Sequence, residues 1–297
     1  MNQDSEITLH QPSEISRNFS YIKHANKNLL IILMIFIIGS LISGIVIISV
    51  NNKLIPYLAG VLELFFMLLP TLILSRTSSL KFKTLYRLDT RLNLKHIIIA
   101  VFGLCTCIIF QETFLKLQES LVPSFLMSLY KNLEKSIEET TLQIIGGGGW
   151  IFGLRAIMIG ALIPAISEES LFRGYYQRSL EEEMQPLKAI LITAVIFAII
   201  HINPVDIIPL FVVGLYLGIL AYTTQNLLIP ILIHFLNNAF LVLIIYVPAA
   251  GIIDIHTYNI NPITTLIICI FSFTAMVFVW VMLFSGRKKT NQNLAST

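Results

Sequence analysis

Glu168 and Glu169 are adjacent, and Arg173 follows Glu169 by four residues in the run Ser167-Glu168-Glu169-Ser170-Leu171-Phe172-Arg173-Gly174. Phe197 and His201 have the same spacing, as do His234 and Asn238, and all three pairs sit in apolar sequence. A carboxylate kept basic by such surroundings, with an imidazole beside it, activates water for attack on an amide carbonyl. A second imidazole and a carboxamide are suitable donors for the oxyanion that results. The same side chains also support metal chemistry. Glu168, His201 and His234 are two histidines and a carboxylate, an ordinary catalytic ligand set for Zn²⁺. The helical HExxH pattern is absent, and no serine, cysteine or aspartate set makes a better nucleophile.

Helix geometry divides these residues between roles. Side chains four apart share a helix face, so Glu169 can pair with Arg173, and the Phe197 ring can pack over the His201 imidazole. His234 and Asn238 converge on one patch by the same rule; Asn237 lacks that spacing from His234. Glu168 is turned about 100° from Glu169. One glutamate is then structural and the other free for chemistry.

The elements that carry these groups must lie in a membrane. The 297 residues are 56% hydrophobic and 12% charged, with a mean hydropathy of +0.80, against about 45–50% apolar residues in soluble domains. Residues 28–50, 54–75 and 260–284 are apolar runs that reach the roughly 20 residues a helix needs to cross hydrocarbon. Ionisable side chains inside such a bilayer are costly and mark functional sites. The sequence reads as an all-α, polytopic membrane helix bundle of about eight transmembrane helices, near 28–50, 54–75, 96–115, 151–180, 187–203, 206–223, 227–247 and 261–284. Residues 76–95 hold six Lys or Arg against one acid, and Arg287, Lys288 and Lys289 follow the last run, whereas 248–259 has no Lys or Arg. Basic loops stay cytoplasmic, so both termini are expected there. Counting from the inner ends at about 1.5 Å per residue, Glu168, His201 and His234 all reach the inner half to the middle of the membrane.

The chain divides into a polar cytoplasmic tail (1–27), membrane helices with amphipathic interfacial segments (28–149), a core carrying the motifs (150–247), and a last span with a basic tail (248–297). The polar stretch before the first run argues against a cleaved signal peptide. Residues 79–93 alternate bases with apolar side chains, as an interfacial amphipathic helix does, and 116–145 is expected along the outer surface. Gly146 to Gly149 suggest a hinge and Trp150 a headgroup-level anchor. Glu181-Glu182-Glu183 reads as a solvated cytoplasmic turn, and His10, His24, His96 and His256 as surface or interface histidines. Glu63 and Arg155 are further charges inside spans, with a structural role expected for Glu63. Cys105, Cys107 and Cys269 lie in spans and read as packing residues. A net charge of +3 gives no case for nucleic-acid binding.

Taken in order on separate spans, Glu168-Glu169-x-x-x-Arg173, Phe197-x-x-x-His201 and His234-x-x-x-Asn238 resemble the CPBP intramembrane proteases. That family includes type II CaaX prenyl endopeptidases and bacterial "Abi" or bacteriocin-immunity-like proteins, and the motif resemblance covers about residues 150–247. It implies an eight-helix bundle with a cavity opening towards the cytoplasm. Glu168 would activate water with His201, His234 and Asn238 would stabilise the oxyanion, and Glu169, Arg173 and Phe197 would shape the site. The family has been described both as metalloproteases and as glutamate proteases. The metal-free reading is preferred because Asn238 is better placed as a donor than as a zinc ligand; Zn bound by Glu168, His201 and His234 is the alternative. The implied partners are the lipid bilayer and a protein or peptide substrate, lipid-anchored in some members. Short loops without appended domains suit the plasma (inner) membrane of a bacterium. Two other functions compete: a non-catalytic scaffold or immunity-type protein, and an ion- or proton-coupled transporter. The latter is disfavoured by the lack of an internal repeat.

Overall fold

The computed structural model describes residues 20–49, 55–145, 150–246 and 261–295. The expected glycine hinge at 146–149 and the loop 248–259 lie outside them, as does most of the N-terminal tail. Among the described residues there is no strand, so the all-α expectation holds. The helices are α1 (Tyr21–Ser49), α2 (Ile55–Ser75), the single turn α3 (Phe82–Leu85), α4 (Leu94–Leu121) and α5 (Ser124–Ile145). They are followed by α6 (Ile151–Leu180), α7 (Pro186–Ile200), α8 (Ile207–Thr224), α9 (Leu228–Tyr246) and α10 (Pro262–Ala295).

Six of these, α1, α2, α4, α6, α8 and α10, are long and apolar enough to cross a membrane, while α7 and α9 are apolar but shorter. With backbone groups satisfied inside each helix, the outer faces need only be apolar. Leu30, Leu41, Ile45, Phe102, Ile267 and Phe271 accordingly point outward, each more than half exposed. The chain is an integral, multi-pass membrane protein.

Two helices are interrupted where proline demands it. Pro70 and Pro164 lack an N–H and crowd the preceding turn. The helices reach them through π-helical turns at Leu62–Leu68 in α2 and Met158–Leu162 in α6. A third π turn, Ser170–Tyr176, directly follows Glu169. Such turns re-aim side chains and cluster at functional sites.

Among the described residues packing forms a small apolar cluster at Ile145, Ala156 and Val242 and two large ones. One joins α4, α8, α9 and α10 through Phe110, Tyr216, Ile233 and Met276; Cys107 and Cys269 pack within it, in keeping with their expected role. The other joins α1, α2, α6 and α7 through Ile32, Met67, Phe172 and Phe197. The α7–α8 connection is short and polar, and its backbone is hydrogen-bonded from within and from α4. Asn203 Oδ1 accepts from the Val205 and Asp206 N–H groups, and Gln118 Nε2 on α4 donates to the Val205 carbonyl.

Two expectations are corrected. Residues 79–93 do not form an amphipathic helix. Only Phe82–Leu85 is helical, because Arg87 takes a left-handed conformation (φ 52°) that ends it. Leu85 and Tyr86 are buried in the second cluster, the Tyr86 ring lying where a side chain on Gly174 would be. Nor is the Glu181-Glu182-Glu183 turn simply solvated. Arg87 Nη2 donates to both Glu181 carboxylate oxygens at 2.8 Å, both side chains being buried. Glu182 pairs with Arg178, and Glu183 accepts from the Tyr21 N–H at the start of α1. Burial pulls the Arg87 guanidinium below its ordinary range, while Glu181 holds it up.

Close packing makes some glycines replaceable and others not. A Cβ on Gly103 would clash with Tyr216 Oη, which donates to the Ala100 carbonyl at 2.6 Å; nothing lies within 4 Å of one on Gly44. Gly103→Ala should therefore cost about 1–3 kcal/mol by overpacking. Gly44→Ala should gain up to roughly 1 kcal/mol from helix propensity, both read by unfolding in detergent micelles.

Candidate active site

α6 presents its two glutamates to different helices, as the turn of about 100° between neighbours requires. Glu169 is fully buried. Its Oε1 accepts from Arg173 Nη1 at 2.7 Å, one turn along α6, and lies 2.9 Å from His234 Nδ1 on α9. Arg173, also fully buried, extends its second branch to the Gly214 carbonyl on α8 at 3.0 Å. Glu169 thus joins α6 to α9, and its partner Arg173 joins them to α8. A carboxylate only accepts, so His234 Nδ1 carries the proton in this contact.

Glu168 faces the other way. Its Oε2 is 3.7 Å from His201 Nε2, within ion-pair reach and beyond hydrogen-bond length. That oxygen is buried and has no hydrogen-bond partner. His201 caps the C-terminus of α7, and its Nδ1 lies 2.6 Å from the Phe197 carbonyl. A carbonyl only accepts, which puts the proton on Nδ1 and leaves Nε2 of the neutral ring with a lone pair. Glu168 and His201 therefore turn two acceptors towards one space.

Phe197 holds the two halves apart and in register. Its ring centroid is 4.7 Å from that of His201, 6.1 Å from that of His234, and 4.4 Å from Arg173 Cζ. The last is a desolvated cation–π contact. The structure so brings together Glu168 with His201, and Glu169 with Arg173 and His234, around Phe197. Asn238 lies one turn beyond His234 on α9, half-buried, with its Oδ1 accepting from Asn237 at 3.3 Å. Among the described residues no group of three or more His, Cys, Asp or Glu is arranged to hold a metal ion.

Some contributors were not found from sequence. Gly214 and Gly218 on α8 offer their carbonyls to Arg173 and Gln177, each pair four residues apart. Their Gly-x-x-x-Gly spacing in an apolar helix is a recognisable signal of close helix contact. Asp206, in the turn beyond His201, accepts from Asn203 at 2.6 Å. Burial pushes its carboxyl up from the ordinary range, opposed first by that hydrogen bond; Glu134 adds to the rise and His201 opposes it.

These features define a multi-pass helical membrane protein with a buried Glu–Arg–His cluster beside a second glutamate whose Oε2 faces a histidine without a hydrogen bond. Residues 150–240 match the family described as type II CAAX prenyl endopeptidase Rce1-like, in agreement with the resemblance to CPBP proteases drawn from the three motifs. Compared with curated proteins and with solved structures, the chain finds no match.

The Glu169 cluster should dominate local stability. Arg173→Met leaves the Glu169 carboxylate buried without its cation and should cost about 3–5 kcal/mol. Arg173→Lys should recover only part of this, because one ammonium does not reproduce the two-pronged reach to Glu169 and Gly214. Unfolding in detergent micelles measures both.

Proposed function

We propose that the chain is an intramembrane endopeptidase of the CAAX type, hydrolysing a peptide bond of a membrane-associated or lipid-anchored protein or peptide. The observation that carries this reading is the unpartnered Glu168 Oε2 facing His201 Nε2, within the segment that matches the type II CAAX prenyl endopeptidase family. A water molecule donating one O–H towards each acceptor satisfies both, and Glu168 takes the proton as the oxygen attacks the carbonyl carbon. Contacts of this kind are long in an empty site and tighten around substrate.

The negative charge then developing on the carbonyl oxygen is met by His234 and Asn238 on one face of α9. With Nδ1 of His234 committed to Glu169, an Nε2–H donor is the doubly protonated ring. Asn238 contributes its amide N–H, its oxygen being already engaged by Asn237. Glu169 and Arg173 fix the His234 ring, and Phe197 fixes His201. No step here uses a metal. A bacterial plasma (inner) membrane fits a compact multi-pass protein of this kind.

The test is cleavage of prenylated and unprenylated CAAX-type peptides by protein reconstituted in liposomes. Wild type should cleave with a chelator present. Glu168→Ala should lose about 10²–10⁴ in rate, the usual contribution of a positioned base, and Asn238→Ala about 10²–10³ in kcat. Undiminished cleavage by Glu168→Ala contradicts the assignment of the base. Loss on chelation with recovery on adding Zn²⁺ contradicts the metal-free mechanism.

A further inference from the structure

Towards one end of the bundle the site is closed. From Ser167 to Leu180 every residue of α6 except Arg178 is buried, and Tyr86 and Leu227 fill the space beside Gly174. The basic loops gather at this end. Arg87 joins the Glu181 turn, the Thr90 hydroxyl donates to the Gln225 carbonyl, and Asn226 donates to the Thr90 carbonyl. The Tyr21 N–H donates to Glu183, and Arg287 stacks on Tyr222 at 3.8 Å. Residues 76–95, the α6–α7 and α8–α9 turns, the start of α1 and the end of α10 therefore lie together.

The opposite end is different. There His201 closes α7 with its side chain 27% exposed. α7 has 15 residues, a rise of about 22 Å against roughly 30 Å of hydrocarbon, so the α7–α8 turn stands in a recess. Ile202 follows, 86% exposed and left-handed at φ 48°. A β-branched residue is an outlier in that conformation, and such strain is kept at ligand sites. Beside the turn a cleft of 240 Å³ is lined by Gln118, Val122, Leu126, Leu129, Pro204 and Val205 among others. Leu121 and Phe125, at the α4–α5 corner that walls it, are mostly exposed. The end of α4, α5 and the α7–α8 turn together carry more acids than bases.

We infer that the substrate peptide enters where α7 meets α8, lays the apolar residues beside its scissile bond in this cleft, and comes from the extracytoplasmic face. The inference rests on the endopeptidase reading for there being a substrate. Site and cleft share one turn: Pro204 and Val205, in the cleft wall, are three and four residues beyond His201. An extended peptide advances about 3.3–3.6 Å per residue, so a bond held at Glu168 and His201 has its near neighbours at the cleft. Those lining residues carry no charge, which suits an apolar side chain. Basic loops stay cytoplasmic, and here they all lie at the closed end. The cytoplasmic opening implied by the family resemblance is thereby reversed. The substrate class narrows to a membrane-anchored peptide that presents an apolar stretch on the outer face.

The experiment has two arms, with the exposed native thiol removed throughout by Cys105→Ser. The first labels Ile202→Cys, and Lys83→Cys in the basic loop, with a membrane-impermeant maleimide in bacterial membrane vesicles of either orientation. Ile202→Cys should react in right-side-out vesicles and not in inside-out ones, and Lys83→Cys the reverse. The second arm is peptide cleavage by reconstituted protein. A bulky maleimide on Ile202→Cys should block the cleavage that the same variant shows unlabelled, and one on Lys83→Cys should not. Leu129→Glu, at a position more than half exposed, should raise KM roughly 10-fold or more with kcat held, the scale on which an apolar pocket discriminates. Labelling of Ile202→Cys from the Lys83 side, no labelling from either side, or full cleavage by the labelled variant overturns the entry route. An unchanged KM in Leu129→Glu, or a rise confined to prenylated peptides, overturns the place of apolar residues in the cleft. If wild type cleaves no peptide, the endopeptidase reading fails, and the labelling arm still decides where the site opens.

Discussion

Glu169 sits with no exposure to solvent, and its Oε1 is shared between Arg173 on the same helix and His234 on another. A carboxylate and a guanidinium taken out of water are costly unless each is paired and hydrogen-bonded. That requirement constrains the bundle around them. Arg173 must also reach the Gly214 carbonyl, so α8 has to approach α6 closely. Gly214 has no side chain on its face towards α7, where a Cβ would stand 3.2 Å from the Phe197 ring and from Ala194. The packing of α6, α7, α8 and α9 around the site follows from satisfying one buried charge.

The same constraint separates the roles of the two glutamates. With Glu169 committed through Oε1, Glu168 is rotated towards α7; Oε2 of each glutamate is buried without a hydrogen-bond partner, and that of Glu168 faces His201 Nε2 at 3.7 Å. An unpartnered buried polar oxygen is an expense that folded proteins seldom keep without a use. His201, its ring held through Nδ1 by the Phe197 carbonyl and its face by the Phe197 ring, completes a space that suits a water molecule. The π turn that begins at Ser170 follows directly on the pair and sets the direction in which α6 continues from it.

What could be read in the sequence was what helix periodicity controls. The Glu169–Arg173 pair, the Phe197 ring over His201 and the opposite facing of Glu168 all follow from spacing within one helix. The junction of Glu169 with His234 was not legible, since it depends on how α6 and α9 pack, and depth arguments only put the two at similar levels. The burial of Arg87 is not legible in its segment. Alternating bases and apolar residues suggest a surface helix, but a left-handed residue buries the guanidinium against Glu181. Pro70 and Pro164 carried a signal for the interrupted helices, and Gly214 with Gly218 one for close approach.

The division of labour between the adjacent glutamates is the central claim, and the unfolding midpoints of Glu168→Gln and Glu169→Gln, measured side by side with wild type in the same detergent, test it most directly. Removing a charge that holds Arg173 and His234 should lower the midpoint markedly for Glu169→Gln. Removing an unpartnered carboxylate kept for function should leave it unchanged or raised for Glu168→Gln. Equal losses in the two variants, or a larger loss for Glu168→Gln, would contradict the account.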